Sequence, residues 1–208
     1  MRDELIRFLI ATRRQYNESV IYHNFKHACD VLQAVFHFLV AIGAIAPLIE
    51  DDTSPGGNQS PLGALVRPVH ALTLLIAAIG HDVGHPGVNN VFLVKVKATV
   101  ARLYNDHSVL ESYHCAASSQ ILQRFWPAAS ADLAMRKLMI SSILATDMTL
   151  HSQYTTQLDA LQKRFAERNR QLDENDEKAL EKDRELICCL IIKCADICNV
   201  VRCENFLQ

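Results

Sequence analysis

The hydrophobic pattern of this chain predicts an all-α fold, a compact multi-helix bundle, on three observations. Apolar residues recur at helical spacing almost throughout, alternating strand-like runs are missing, and no Asn-Gly pair marks a hairpin. With 208 residues, half of them hydrophobic, the chain can close a substantial core, and residues 1–208 read as one domain with no internal repeat.

The elements follow in order. A first helix is expected at residues 3–17 and a second at 25–45, both from apolar periodicity. The most apolar stretch, Val31 to Ile49, carries Gln33, His37 and Pro47 and lacks charged flanks, so it reads as a buried core helix and not as a membrane span. Pro47 to Pro68, with Pro55-Gly56-Gly57-Asn58-Gln59-Ser60-Pro61 inside it, has the composition of a mobile surface loop. The apolar run 69–82 is a helix that Pro86-Gly87 brings to a turn. Helical spacing continues at 89–103, 107–125 and 131–150. Gln157 to Glu185 is dense in charge, with Leu158, Leu161, Phe165, Leu172 and Leu180 among its few apolar positions, which predicts a solvated helical face or a helix-loop-helix connection. A last helix covers 184–201.

Composition narrows the function. A net charge of −2 gives no general attraction to nucleic acid or to an anionic membrane, so an anionic substrate has to be held locally, by metal. Seven cysteines, an odd number without zinc-ribbon spacing, argue against a disulfide framework and for a reducing, cytoplasmic compartment. Met1-Arg2-Asp3-Glu4 is not followed by the apolar segment and small-residue cleavage site of a secretory signal.

Titratable residues stand where an apolar pattern would not place them. His81-Asp82 offers an imidazole and a carboxylate to one location, with His85 close behind, and a carboxylate can bridge two cations. His23 and His27 are four residues apart and share a face if that turn is helical. Asp147 and Asp196 are embedded in apolar helical patterns, where an unpaired carboxylate would be costly, so both need partners. His27, His81, Asp82 and Asp196 could therefore form one mixed His/carboxylate metal site assembled from separate helices, or a set of buried polar residues bonded to one another.

The ordered set His23-Asn24-x-x-His27, His81-Asp82-x-x-His85-Pro86-Gly87-x-x-Asn90, Tyr104-Asn105-Asp106-x-Ser108-Val109-Leu110-Glu111-x-x-His114, Ala145-Thr146-Asp147-Met148 and Cys194-Ala195-Asp196 resembles the catalytic domain of the class I cyclic nucleotide phosphodiesterases. The motifs keep the family's order from about Tyr22 to Asn199. The resemblance implies the helical bundle of the His-Asp phosphohydrolase type and metal-dependent hydrolysis of the cyclic phosphodiester of cAMP or cGMP to the 5′-monophosphate, which ends second-messenger signalling. It implies a tight Zn2+ on His27, His81, Asp82 and Asp196, and a second ion, Mg2+ or Mn2+, held chiefly by Asp82 and waters. His23 resembles the family's general acid, and Glu111 an acceptor that orients His23 or a metal water. Tyr22, His85, Asn90, His114, Thr146 and Asp147 match positions around the waters, the ligating imidazoles and the substrate, and Met148 with His151 flanks the substrate mouth.

Gly84, where many animal members carry Asp, looks like the fungal cAMP branch, and Val200 replaces a proline common there. Family domains are longer, so 208 residues are expected to be a partial domain without the glutamine and hydrophobic clamp for the purine, poorly soluble and nearly inactive alone. Two other readings stay open: a His-Asp phosphohydrolase acting on a noncyclic nucleotide, and a metal-stabilised remnant that binds without turnover. The first leaves His23-Asn24, His85-Pro86-Gly87 and the Tyr104 to His114 motif without an explanation.

Overall fold

The computed structural model describes residues 2–48, 60–167 and 177–198, and among these the secondary structure is helical with no strand. The helices are α1 (Arg2–Arg13), α2 (Phe25–Ala41), α3 (Pro61–Leu65), α4 (Pro68–Gly80), α5 (Asn90–Lys95), α6 (Thr99–Leu103), α7 (Val109–Phe125), α8 (Pro127–Ser130), α9 (Leu133–Leu144), α10 (His151–Glu167) and α11 (Glu177–Cys198), with a 3-10 turn at Met148–Leu150. No helix among the described residues is long and apolar enough to cross a membrane.

The bundle is built around α4, which packs on α2, α7, α9 and α11. Its sequence explains that place: Pro68 starts it with a ring already at helical φ, and the residues that follow are apolar on nearly every side. Leu74, Ala77 and Ala78 meet Val31, Val35 and Leu39 of α2, Met139 and Ile143 of α9 and Ile192 of α11 in one continuous core. Where α4 ends, α7 crosses close: the Ser118 hydroxyl donates to the Gly80 carbonyl at 2.7 Å, and a Cβ on Gly80 would stand 2.7 Å from that same oxygen. A small satellite core of Leu93, Ala101, Val109 and Leu110 lies under α5 and α6.

Several expected elements differ in extent. The helix expected at 89–103 is two short ones, because Lys97 turns into the left-handed region (φ +54°) between them. The helix expected at 131–150 stops at Leu144, and the chain turns through Thr146 and Asp147 before α10 begins at His151. The expected loop at 47–68 contains α3, capped by Ser60, whose hydroxyl accepts from the Gly63 amide and donates to the Ile42 carbonyl; residues 49–59 lie outside the described residues. The charged stretch is helical where described, with Arg164 paired to Asp183 and Arg184 to Glu177 and Glu181. The last helix begins at Glu177, seven residues before its expected start, while its expected end at 199–201 falls outside the described residues.

Candidate metal centre

Three helix ends build the site. Asn24 caps α2: its side-chain oxygen accepts from the Lys26 and His27 amides, and its amide group donates to the Val20 and Ile21 carbonyls. That cap fixes His27 in the first turn of α2, with the half-exposed Tyr22 ring 4.7 Å from its own. At the other end of the core, α4 stops and delivers His81 and Asp82. Tyr16 holds this corner from outside, donating its hydroxyl to the Ile79 carbonyl at 2.9 Å and accepting from the Asp82 amide at 3.3 Å. The third contributor is Asp196, near the end of α11, which packs on both α2 and α4.

Four donor atoms from these ends converge. His27 Nε2 lies 3.0 Å from Asp196 Oδ1 and 3.5 Å from Asp82 Oδ2. His81 Nε2 lies 3.3 Å from His27 Nε2, and 3.4 Å from both Asp82 Oδ2 and Asp196 Oδ1. Four ligands set tetrahedrally around an ion at ~2.0–2.1 Å would be ~3.3–3.4 Å apart, and these five spacings, from 3.0 to 3.5 Å, suit a single divalent ion. The His81 Nδ1 atom donates to the Ala78 carbonyl at 2.8 Å, which fixes the tautomer and leaves Nε2 for the cluster. Burial by itself would push His81 down, yet Asp82 and Asp196 carry its pKa up to about 9. Burial likewise opposes ionisation of the two carboxylates, and the imidazoles overcome it, leaving both well below the usual carboxylate range. Two negative groups therefore call for a positive one, and a divalent cation would supply what the His81 proton supplies without it.

A second group shares Asp82. Donor atoms of His23, Asp82 and His85 all lie within 4.8 Å of one another, as do those of His27, His81 and Asp82. His23 Nδ1 is 2.8 Å from Asp82 Oδ2, and that hydrogen bond raises the His23 pKa above the ordinary value. The His23 ring stacks on His85 at 4.0 Å, and His85 stacks on His114. His85 Nδ1 accepts from the Gly87 amide, and His114 Nδ1 donates to the Val83 carbonyl; burial pushes both imidazoles down to about 4, so both are neutral. His114 Nε2 is then an acceptor, buried without a hydrogen-bond partner among the described residues and 3.7 Å from Asp82 Oδ1, another acceptor. A bridging donor such as a cation-held water would resolve that pairing.

Glu111 and Asn90 form a bonded pair at the rim. The Asn90 amide donates to Glu111 Oε2 at 2.9 Å, its oxygen accepts from the Leu110 amide, and burial raises the Glu111 pKa. Among the described contacts the carboxylate that orients His23 is Asp82, not Glu111. Asp147 has its partners, though not imidazoles: Ser108 donates to it at 2.6 Å, and the Thr149 amide and hydroxyl each donate at 2.8 Å, so it caps the 3-10 turn. The Thr146 hydroxyl closes back on the Ile143 carbonyl, and Met148 is exposed. Sequence reasoning gave no role to Tyr16, Ser108 or Lys193. Ser108 stood inside a motif, but an isolated tyrosine and a lysine in a helical pattern carry no local signal.

The family described as 3′,5′-cyclic nucleotide phosphodiesterase matches residues 22–206 of the chain. Over 201 residues the chain is 34% identical to 3′,5′-cyclic-nucleotide phosphodiesterase 2 of Saccharomyces cerevisiae, covering 96% of this chain and 31% of that protein. A probable 3′,5′-cyclic phosphodiesterase of Caenorhabditis elegans is 31% identical over 209 residues, covering 96% of this chain and 24% of its own length. The chain thus spans a third or less of these relatives. Among solved structures, yeast caPDE2 superposes with a TM-score of 0.75 at 39% identity, over 96% of this chain and 40% of that one. The same enzyme in complex with IBMX gives 0.76 at 39% identity, over 96% and 39% of the two chains.

Proposed function

The chain belongs to the 3′,5′-cyclic nucleotide phosphodiesterase family, and from that membership we propose that it opens the 3′,5′-cyclic phosphodiester of cAMP or cGMP to the 5′-monophosphate. One observation carries the reading: Asp82 is common to two clusters of donor atoms, with His27 and His81 on one side and His23 and His85 on the other. His27, His81, Asp82 and Asp196 would hold zinc, and Asp82 with ordered waters would hold magnesium or manganese. When bound, the pair of cations supplies Lewis acidity to the phosphoryl oxygens and lowers the pKa of the attacking water toward neutrality.

The chain's own residues do the rest. With Nδ1 bonded to Asp82, His23 has Nε2 left to pass a proton to the leaving O3′. Neutral His85, whose Nδ1 accepts from Gly87, offers its Nε2–H, and neutral His114, whose Nδ1–H is bonded to Val83, offers its Nε2 lone pair, so the two orient water as donor and acceptor without competing for the anion. In this reading Glu111, bonded by Asn90, and Asp147 would lie beside the metal-bound waters, and Tyr22, Thr146 and Met148 would face the substrate. Free thiols at Cys29, Cys115, Cys188, Cys189 and Cys194 support a reducing, cytoplasmic setting. The decisive experiment assays metal-loaded protein against cAMP, cGMP and a noncyclic phosphodiester, with metal content measured in parallel. Cyclic-nucleotide turnover that vanishes with a chelator and returns with added ions is expected; turnover of the noncyclic diester alone would overturn the reading.

A further inference from the structure

Lys193 sits in the middle of α11 and is only 3% exposed. A buried ammonium persists where its N–H groups find acceptors. Here Nζ donates to the carbonyls of Ala145 at 2.9 Å and Asp147 at 3.2 Å, touches Met148 Sδ at 3.7 Å and lies 5.8 Å from the centre of the Tyr154 ring. These carbonyls belong to the turn in which α9 stops, where a cation is also favoured by the helix dipole. An apolar side chain could pack α11 against α9 equally well. What the lysine alone does is select the path of the backbone from Ala145 to Met148.

Three residues along the same helix stands Asp196, on the face that Lys193 shares. One rigid element thus carries both a cluster carboxylate and the pin of the turn bearing Thr146, Asp147 and the exposed Met148. Burial pushes the lysine amine down, while Asp147, Asp196 and Glu111 act to keep it charged.

We propose that Lys193 is a positioning residue: by binding the carbonyls of Ala145 and Asp147 it sets the turn, and with it Met148, against the Asp196 side of the centre, so that the nucleoside part of the substrate is seated beside the phosphate site. This rests on the cyclic-phosphodiester reading above. Met148 offers a polarizable apolar contact of the kind a nucleobase takes, beside a site that is otherwise polar.

The test compares metal-loaded wild type with Lys193→Met and Lys193→Arg. Metal content, amide hydrogen exchange of residues 145–149, and kinetics with cAMP and with bis(p-nitrophenyl) phosphate, a diester without a nucleoside, are measured. Lys193→Met should keep its metal, exchange these amides roughly tenfold faster, and raise KM for cAMP roughly tenfold, with kcat changed less than about threefold and the aryl diester affected several-fold less than cAMP. Lys193→Arg, which keeps the charge and the donors, should recover part of both effects. Unchanged exchange, lost metal, or equal losses on the two substrates would overturn the proposal. If wild type turns over no cyclic nucleotide, the functional reading fails, and the exchange data still decide whether Lys193 holds the turn.

Discussion

Asp82 has four imidazoles around it: His23, His27 and His81 approach its Oδ2 and His114 its Oδ1, all within 3.7 Å. Among the described residues no other side chain is placed to take over a carboxylate common to both donor groups, so Asp82→Ala should lose most of the bound metal, read by elemental analysis; full occupancy in the variant would sink the two-ion assignment. His23→Ala should act on turnover alone. It should retain its metal while cAMP hydrolysis falls by ~10²- to 10⁴-fold, the usual worth of a positioned proton donor, and an aryl ester whose leaving group needs no proton should regain much of the loss. Equal losses on both substrates would remove His23 from that role. These residues were legible in the sequence because a titratable side chain in an apolar pattern is itself a signal. Tyr16 was not, since its hydroxyl matters only through backbone atoms 63 and 66 residues away that folding brings to it.

Among the elements, the turn from His81 to Gly87 does the most positioning. It passes through Gly84 at φ +75° and Gly87 at φ +82°, conformations that L side chains avoid. A Cβ at Gly84 would also stand 2.8 Å from the Tyr113 ring, but Tyr113 is partly exposed and can swing aside, so the backbone decides the cost. Gly84→Ala should destabilise the protein by about 1–2 kcal/mol, measured by denaturant unfolding of the metal-free form, and an unchanged midpoint would show that the turn relaxes to negative φ. The helices were legible where apolar periodicity ran unbroken, as in α2, α4 and α7. They were misjudged where polar details intervene: Lys97 enters the left-handed region without being glycine, and Asp147 ends a helical pattern by taking its bonds from Ser108 and Thr149. α3 was hidden because its capping serine and starting proline look like loop composition.

At the scale of the molecule, the candidate metal ligands come from helix ends that pack on one another, α2, α4 and α11, so a cation held there would tie together the same helices that form the core. Periodicity predicted those helices and the motifs singled out His27, His81, Asp82 and Asp196, but neither contains the close approach that brings His27 Nε2 within 3.0 Å of Asp196 across 169 residues of chain. Binding and folding are therefore linked: an ion at a hundredfold excess over its Kd stabilises the folded state by ~2.7 kcal/mol. For a chain of this size about 2–4 °C of Tm accompanies each kcal/mol, so chelation should lower Tm by roughly 5–11 °C. Asp82→Ala should melt at one temperature with or without chelator. The two curves belong together, because they separate a metal that organises the helix ends from one bound incidentally at the surface. A wild-type Tm that stays fixed while elemental analysis shows the ions gone would mean that the His27, His81, Asp82 and Asp196 cluster holds itself together through its own hydrogen bonds and draws no stability from metal.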